Sequence, residues 1–398
     1  MILGQASGDE MKIAMIEPRV VAVSKKTKWF FVKVTTADGI YGYGEATLFG
    51  WEPVLHAYLK IVAERLTGIE VSSARALQEM FPDRSGGKVS DSIHSALEQA
   101  FWDIRGKELG KPVHALLGTR RTEVEFYANI NRGTLDRTPE GWAARAAQAC
   151  DAGFRAVKMA PLDGIRMAPQ VQPDRLEMAK VMEKIAAVSH VCGDRAEVYV
   201  DCHWRLNVEG APEILSMMAD AGIRWFETPF EEGLQNLGAL AALRGVAKER
   251  GIMLAGAEML YGQEGFRPML DAGSLDVIMP DIRWCGGIEE GLRIGALAQR
   301  HGAMMAPHNS AGPILSAASL HLACATSALH SAELQFAESP LYFSILSVNQ
   351  VGLGQARVDA PTAPGLGVDL DEHFIASLPT DDRGWAETVG QAGASRFG

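Results

Sequence analysis

The chain is poor in the features that mark several protein classes. Its 398 residues include only five cysteines (Cys150, Cys192, Cys202, Cys285 and Cys324), an odd number with no C-x-x-C spacing. A complete set of disulfides is thereby excluded and a thiolate zinc site disfavoured, so reduced thiols in a cytoplasmic protein are expected. No stretch of about 18 apolar residues is present to form a membrane span. No basic run offsets the net charge of −11, which argues against a nucleic-acid partner. The opening MILGQASGDE lacks the basic and apolar segments of a secretory leader. Met11 offers an alternative start, which makes residues 1–10 a loose tail.

What remains is an ordinary globular composition, 47% apolar and 22% charged, with enough chain for two domains. The first 120 residues read as a small α+β unit. Trp29–Thr35 and Tyr41–Ala46 are β-rich runs joined at Ala37-Asp38-Gly39, and Tyr58–Leu66 looks helical. Between Asp91 and Leu109, Ile93, Leu97, Ala100, Phe101 and Ile104 follow helical spacing, closed by Gly110 and Pro112. From about Val124 the pattern alternates between strand and helix. Strands are expected near 125–130, 155–160, 197–201, 223–227, 253–257, 276–280, 303–307 and 330–334. That is the strand count of a closed barrel. The clearest helices are Ala143–Asp151, Pro173–Val188, Pro212–Ala221 and Leu237–Arg250, and Pro161–Asp174 reads as a polar insertion.

Six acidic or histidine residues end successive apolar runs: Asp201, Glu227, Glu258, Asp281, His308 and Glu333. Their steps of 26, 31, 23, 27 and 25 residues match one β/α unit each. In a barrel the C-terminal ends of the strands share one face, so these groups converge there. Three carboxylates at one point, Asp201, Glu227 and Glu258, repel unless a cation joins them, and all-oxygen ligation selects Mg²⁺ or Mn²⁺. Asp281 beside His308 suits a general base with a fixed tautomer. Strand alternation places His203 on the face of Asp201, as a second acid or base. Lys158 ends the second barrel strand and suits a substrate carboxylate or charge balance. Arg205 and Arg283 either grip an anionic substrate or pair with a local acid. Glu333 either donates to a developing enolate, if protonated, or shapes the site, with Glu338 as its rival. Two glycine signals are set aside. Gly42-Tyr43-Gly44 lies in a hairpin without a following βαβ unit, and Gly286-Gly287 reads as a tight turn before a helix rather than a phosphate site.

Over nearly its whole length the chain resembles the enolase superfamily, in its mandelate racemase and muconate lactonizing branch. The resemblance runs from WFFVKVTTADGIYGYGEA through SALEQAFWDIRGKELGKPVHALLG to APHNSAGPILSAASLHLA. Within the branch it is most similar to acid-sugar dehydratases of the D-galactonate type. Asp201-x-His203, the P-D-x₄-G-G run from Pro280 to Gly287, and Ala306-Pro-His-Asn309 carry that match. The resemblance implies an α/β fold, a modified TIM barrel (β/α)₇β beneath an N-terminal α+β capping domain. The expected boundaries are 1–123 for the cap, 124–345 for the barrel, and 346–398 for a segment packing back on either. It also implies Mg²⁺ on Asp201, Glu227 and Glu258, an Asp281–His308 dyad, His203 as the acid that expels a hydroxyl, and a homo-oligomer.

Two positions depart from the pattern. Lysine-base members carry K-x-K, where this chain has Lys158-Met159-Ala160, which removes one partner of a lysine–histidine racemase. Trp204 stands where glycine is expected, so it enters the substrate pocket with Arg205 and Arg283. The expectation is therefore a Mg²⁺-dependent hydro-lyase taking a small sugar acid to a 2-keto-3-deoxy acid. A racemase or epimerase using the same enolate is the alternative, and a barrel that binds without turnover is the third. Specificity is expected from Val23–Lys28, Thr47–Trp51 and Pro161–Asp174.

Overall fold

The computed structural model describes residues 11–24, 27–80, 87–165 and 174–379. The loose tail expected at 1–10, the centre of the Val23–Lys28 loop and most of the Pro161–Asp174 insertion lie outside the described residues.

The N-terminal unit is an antiparallel sheet against helices. β1 (Met11–Ser24), β2 (Thr27–Thr36), β3 (Tyr41–Glu45) and β4 (Glu70–Val71) pair in the order β3-β2-β1-β4. With them stand α1 (Glu52–Leu66), α2 (Ala74–Glu79), α3 (Gly87–Glu108) and α4 (Val113–Leu117). The hairpin turns at Gly39, whose φ of +90 suits glycine. β1 and the two-residue β4 are the strands here that the sequence pattern hides. Pro18 interrupts β1 and a register shift lies between Ile13 and Met15. The strand tolerates Pro18 because β4 covers β1 only at Met11 and Lys12, leaving an open edge beside the proline. Gly42 and Gly44 serve packing. A Cβ on Gly44 would come within 1.8 Å of the Ala96 carbonyl oxygen of α3.

The second unit alternates strand and helix: β5 (Glu123–Asn129), α5 (Pro139–Asp151), β6 (Ala156–Met159), α6 (Arg175–Cys192), β7 (Glu197–Asp201), α7 (Ala211–Asp220), β8 (Trp225–Glu227) and α8 (Leu237–Glu249). It continues through β9 (Met253–Gly256), α9 (Gly262–Asp271), β10 (Val277–Ile278), α10 (Gly287–Arg300), β11 (Met304–Met305), α11 (Pro313–Ala325) and β12 (Ala332–Gln335). Neighbouring strands are parallel, β12 pairs back on β5, and the Met305–Leu329 bridge closes the ring beside β11. Seven helices between eight strands make the expected (β/α)₇β barrel. Tyr127, Tyr199 and Trp225 fill its interior, the last two stacked with centroids 4.6 Å apart. Local signals set the helix starts. Asp174 and Glu177 form a reciprocal capping box on α6, and Thr138 caps α5.

The chain then returns over both units through α12 (Leu341–Ser344), β13 (Leu346–Asn349), β14 (Arg357–Asp359), β15 (Val368–Leu370) and α13 (Glu372–Ser377). β14 pairs antiparallel with β5, and Glu372 bonds Tyr43 and Lys33 of the cap sheet.

Candidate active site

Strand register builds the site. Asp201 and Glu227 are directly paired residues at the ends of β7 and β8. Lys158 lies opposite Asn129 across β6 and β5, and Glu333 lies on β12 beside them. Every non-glycine residue with positive φ among the described residues sits in a loop at this end of the barrel: His203, Trp204, Thr228, Ala257 and Ala337. Each such conformation costs about 1–3 kcal/mol and persists where surrounding contacts impose it.

The dyad is formed. His308 Nδ1 donates to Asp281 Oδ2 at 2.7 Å, which leaves Nε2 toward Glu258 Oε2 at 3.4 Å and Glu333 Oε2 at 4.0 Å. Against the upward push of burial, Arg283 and His308 hold Asp281 well below the usual carboxylate range. Against burial, which favours a neutral ring, Glu258, Glu333 and Asp281 raise His308 to about 9.

His203 reaches the site by a different route from the one expected. β7 ends at Asp201, and a turn with positive φ at His203 and Trp204 replaces strand alternation. The Asp201 carboxylate fixes that turn by accepting from the His203 backbone N–H at 2.9 Å. The ring lies between two carboxylates, with Nε2 2.8 Å from Asp201 Oδ2 and Nδ1 2.8 Å from Asp163 Oδ1. Against burial, which favours the neutral ring, the Asp201 and Asp163 carboxylates raise His203 well above its ordinary value and favour the imidazolium.

Lys158 is 1% exposed and bridges Glu227 at 2.6 Å and Glu333 at 3.0 Å. Those two carboxylates raise it well above its ordinary value despite burial. Glu333 differs from the proton donor considered from the sequence. Its oxygens accept from Asn129 Nδ2 at 2.6 Å and Asn309 N at 2.8 Å, and Lys158 lowers its pKa against burial, so it is an ionised acceptor. Glu338 instead accepts from Thr27 and Ser24 of the cap. The Arg283 guanidinium grips both oxygens of Asp281 and also donates to the Thr47 carbonyl and Ser310, so it pairs with a local acid. Arg205 donates to the Ile165 carbonyl at 2.7 Å and to Asp163, and Trp204 Nε1 to Glu232 at 3.1 Å. A cavity of about 1070 Å³ opens at the other end of the barrel, beside Glu125, Arg155, Glu197 and His330. That end of such barrels serves stability rather than chemistry.

Sequence reasoning missed Asp163 and Asn129. Asn129 ends the first barrel strand, the same positional signal that marked the other six. Asp163 lies in the loop just past β6, and only its contact with His203 reveals it.

Among the described residues no three His, Cys, Asp or Glu side chains close on a single metal position as they stand. Asp201 Oδ2 turns to His203, and the Glu227 oxygens to Lys158 and Trp225 Nε1. The donor set nevertheless fits a hard cation. Glu258 Oε2 is buried with no hydrogen-bond partner. Burial raises Glu258, and burial together with Asp201, Glu333 and Glu258 pushes Glu227 up to about 8. An oxygen-only group with surplus negative charge is what Mg²⁺ or Mn²⁺ takes.

Fold and site together define a barrel enzyme whose acid–base groups surround a carboxylate cluster. Residues 141–374 match the family model described as enolase C-terminal domain-like, and residues 10–118 match the mandelate racemase / muconate lactonizing enzyme N-terminal domain. The chain belongs to the enolase superfamily, in that branch, and is an enzyme of it. A D-xylonate dehydratase of Haloferax volcanii is 30% identical, over 86% of this chain and 83% of its own. A D-galactonate dehydratase of Verminephrobacter eiseniae is 28% identical, over 91% and 94%. Among solved structures, a mandelate racemase/muconate lactonizing enzyme from a Sulfitobacter species superposes with a TM-score of 0.82 at 27% identity, covering 94% of this chain and 97% of that one.

Proposed function

We propose that the chain is a hydro-lyase that removes water from a small sugar acid to give a 2-keto-3-deoxy acid. The observation that carries this is the pair of histidines in different settings, His308 in a dyad with one carboxylate and His203 between two. Asp281 engages His308 at Nδ1 and leaves Nε2 with no acceptor within 3 Å among the described residues, while each nitrogen of His203 faces a carboxylate at 2.8 Å. The two rings are thus equipped as base and acid of one elimination.

The proton on the carbon next to a carboxylate is a very weak acid. Asp201, Glu227 and Glu258 would hold a divalent cation, Mg²⁺ or Mn²⁺, which supplies electrostatic stabilisation for charge building on the substrate carboxylate. His308 Nε2 takes the proton, and Asp281 steadies the resulting imidazolium through Nδ1. His203 gives its proton to the departing 3-hydroxyl, and Asp163 holds that ring in place. Lys158 keeps Glu227 and Glu333 apart and adds positive potential beside them. Arg205 helps Asp163 hold the His203 ring, and Trp204 follows that ring in the same turn. The names of the dehydratase relatives support the substrate class. An epimerase would need His203 or Lys158 as a second base, and each is held by two carboxylates that favour its protonated form.

The experiment is a screen of mono- and diacid sugars with Mg²⁺, reading keto-acid formation with semicarbazide. A keto product supports the reading and names the stereochemistry. Exchange of the α-proton in D₂O without keto acid would instead favour the epimerase, which inversion at that carbon would establish.

A further inference from the structure

The two barrel helices that follow the dyad residues start without caps of their own. α10 begins at Gly286-Gly287 and α11 at Gly312-Pro313, and neither N-cap residue supplies a side-chain bond. Helix starts leave backbone N–H groups without partners, and α5 and α6 satisfy theirs locally through Thr138 and Asp174. For α10 and α11 the partner comes from the N-terminal domain.

Glu98, on α3, accepts from the Ile288 N–H at 2.7 Å and the Glu289 N–H at 2.9 Å, and Ser95 one turn away accepts from Gly286 at 3.1 Å. Glu45, at the end of β3, accepts from the Gly312 N–H at 2.7 Å, the Leu315 N–H at 2.9 Å and the Thr47 hydroxyl at 2.7 Å. Both carboxylates are fully buried. Gln99 joins the two, accepting from the Glu45 N–H at 3.0 Å and donating to the carbonyl of Ile282, the neighbour of Asp281, at 3.1 Å. Glycine leaves the room. A Cβ on Gly287 would stand 2.0 Å from Glu98 Oε2, and one on Gly312 2.9 Å from Glu45 Oε1. The glycine pair set aside as a tight turn is therefore a seat for a carboxylate of the cap.

A cap supplied by the loop itself would satisfy the same N–H groups without fixing the loop to anything else. Capping from another domain makes the loop's position depend on that domain being seated. The loops held this way are those carrying Asp281 and His308.

We propose that Glu45 and Glu98 are positioning residues, which assemble the Asp281–His308 dyad by docking the cap onto the starts of α11 and α10. This rests on His308 being the base. Neither carboxylate touches the reacting atoms.

The test compares the wild type with Glu45→Gln, Glu98→Gln and Gly312→Ala. Glutamine offers one acceptor and turns an NH₂ toward the other N–H. Gly312→Ala is the mild variant. Its backbone, at φ −87 and ψ −173, accepts alanine, and the added methyl displaces the Glu45 carboxylate without removing it. The expected result is a kcat lower by on the order of 10- to 100-fold at nearly constant KM, with faster amide exchange in segments 281–290 and 308–316. A cooperative thermal transition should remain. If exchange in those segments rises while kcat stays at the wild-type value, the proposal is overturned. Should no sugar acid be turned over even by the wild type, the functional reading fails separately. The His308 Nδ1 proton resonance then decides, and a signal unchanged in Gly312→Ala overturns the bracket.

Discussion

His308 has one nitrogen to offer. Its Nδ1–H is held by Asp281 at 2.7 Å, so proton abstraction falls to Nε2. His308→Asn should lower turnover by about 10²–10⁴-fold, the worth of a positioned general base, while bound metal stays at the wild-type stoichiometry. Normal turnover in that variant would remove His308 from the chemistry. His203 makes a different prediction, because it acts after the proton has gone. In His203→Asn the keto acid should nearly vanish while α-proton exchange into D₂O continues, both read by NMR on one sample. Loss of both at once would show that His203 serves the first step. Most residues at strand ends were legible because a barrel repeat fixes where strands stop, although Asn129 was passed over there. Of the side chains that reach the site through turns, His203 was named but by the wrong route, and Asp163 was not named. The positive φ of His203 and the position of Asp163 depend on contacts between loops, which leave no periodic mark on the sequence.

α3 and α11 show how elements couple the two domains. Gly42 and Gly44 let β3 lie against the α3 backbone, and a methyl on Gly44 would overlap the Ala96 carbonyl at 1.8 Å. Gly44→Ala should therefore cost about 3 kcal/mol, seen as a lower urea midpoint, since neither partner atom is a flexible side chain. An unchanged midpoint would mean that the sheet and helix part easily. α11 is buried along its whole length, and its His321 stacks on His114 of α4 with centroids 5.5 Å apart. His321 Nδ1 accepts from the His114 N–H at 3.1 Å. Burial first, then the His114 ring, lowers His321 from 6.5 to about 3. The unfolded chain thus binds a proton below pH 6.5 that the folded chain refuses. Stability is intact above that pH and falls by up to ~1.4 kcal/mol per unit as pH drops toward 3. His321→Asn, which keeps an acceptor for the His114 N–H, should flatten that part of the acid limb in urea titrations between pH 7 and 4. A limb as steep as the wild type's would assign the acid sensitivity to other groups. The barrel strands and the four barrel helices given bounds were readable to within about four residues, because 3.6-residue spacing and the recurring apolar runs are local signals. β1 was not, because Pro18 and a register shift break its alternation and the partner strand supplies the order. The carboxylates of Glu98 and Glu45 that cap α10 and α11 were hidden for the same reason, since a cap bond from another domain has no local spacing.

Over the whole molecule the net charge is −11, and part of that excess lies where it is least comfortable. Asp201, Glu227, Glu258, Asp281 and Glu333 share one buried bowl, and the cations in contact with them are Lys158, Arg283 and the two histidine rings. Arg283 is committed to Asp281 and Lys158 to the Glu227–Glu333 pair, which leaves Glu258 the least compensated. A cation that binds the folded bowl and not the unfolded chain must stabilise the fold, by about 2.7 kcal/mol at a free concentration one hundred times its Kd. Adding millimolar Mg²⁺ or Mn²⁺ to protein stripped with a chelator should raise Tm by several degrees, and Glu258→Gln should lose most of that rise. The stripped variant should melt no lower than the stripped wild type, because the substitution removes a buried, poorly paired charge. This readout needs no substrate, so it separates the metal site from the choice of sugar acid. A Tm indifferent to both ions would show that the bowl balances its charge with protons and its own lysine, and the divalent reading of Asp201, Glu227 and Glu258 would fall.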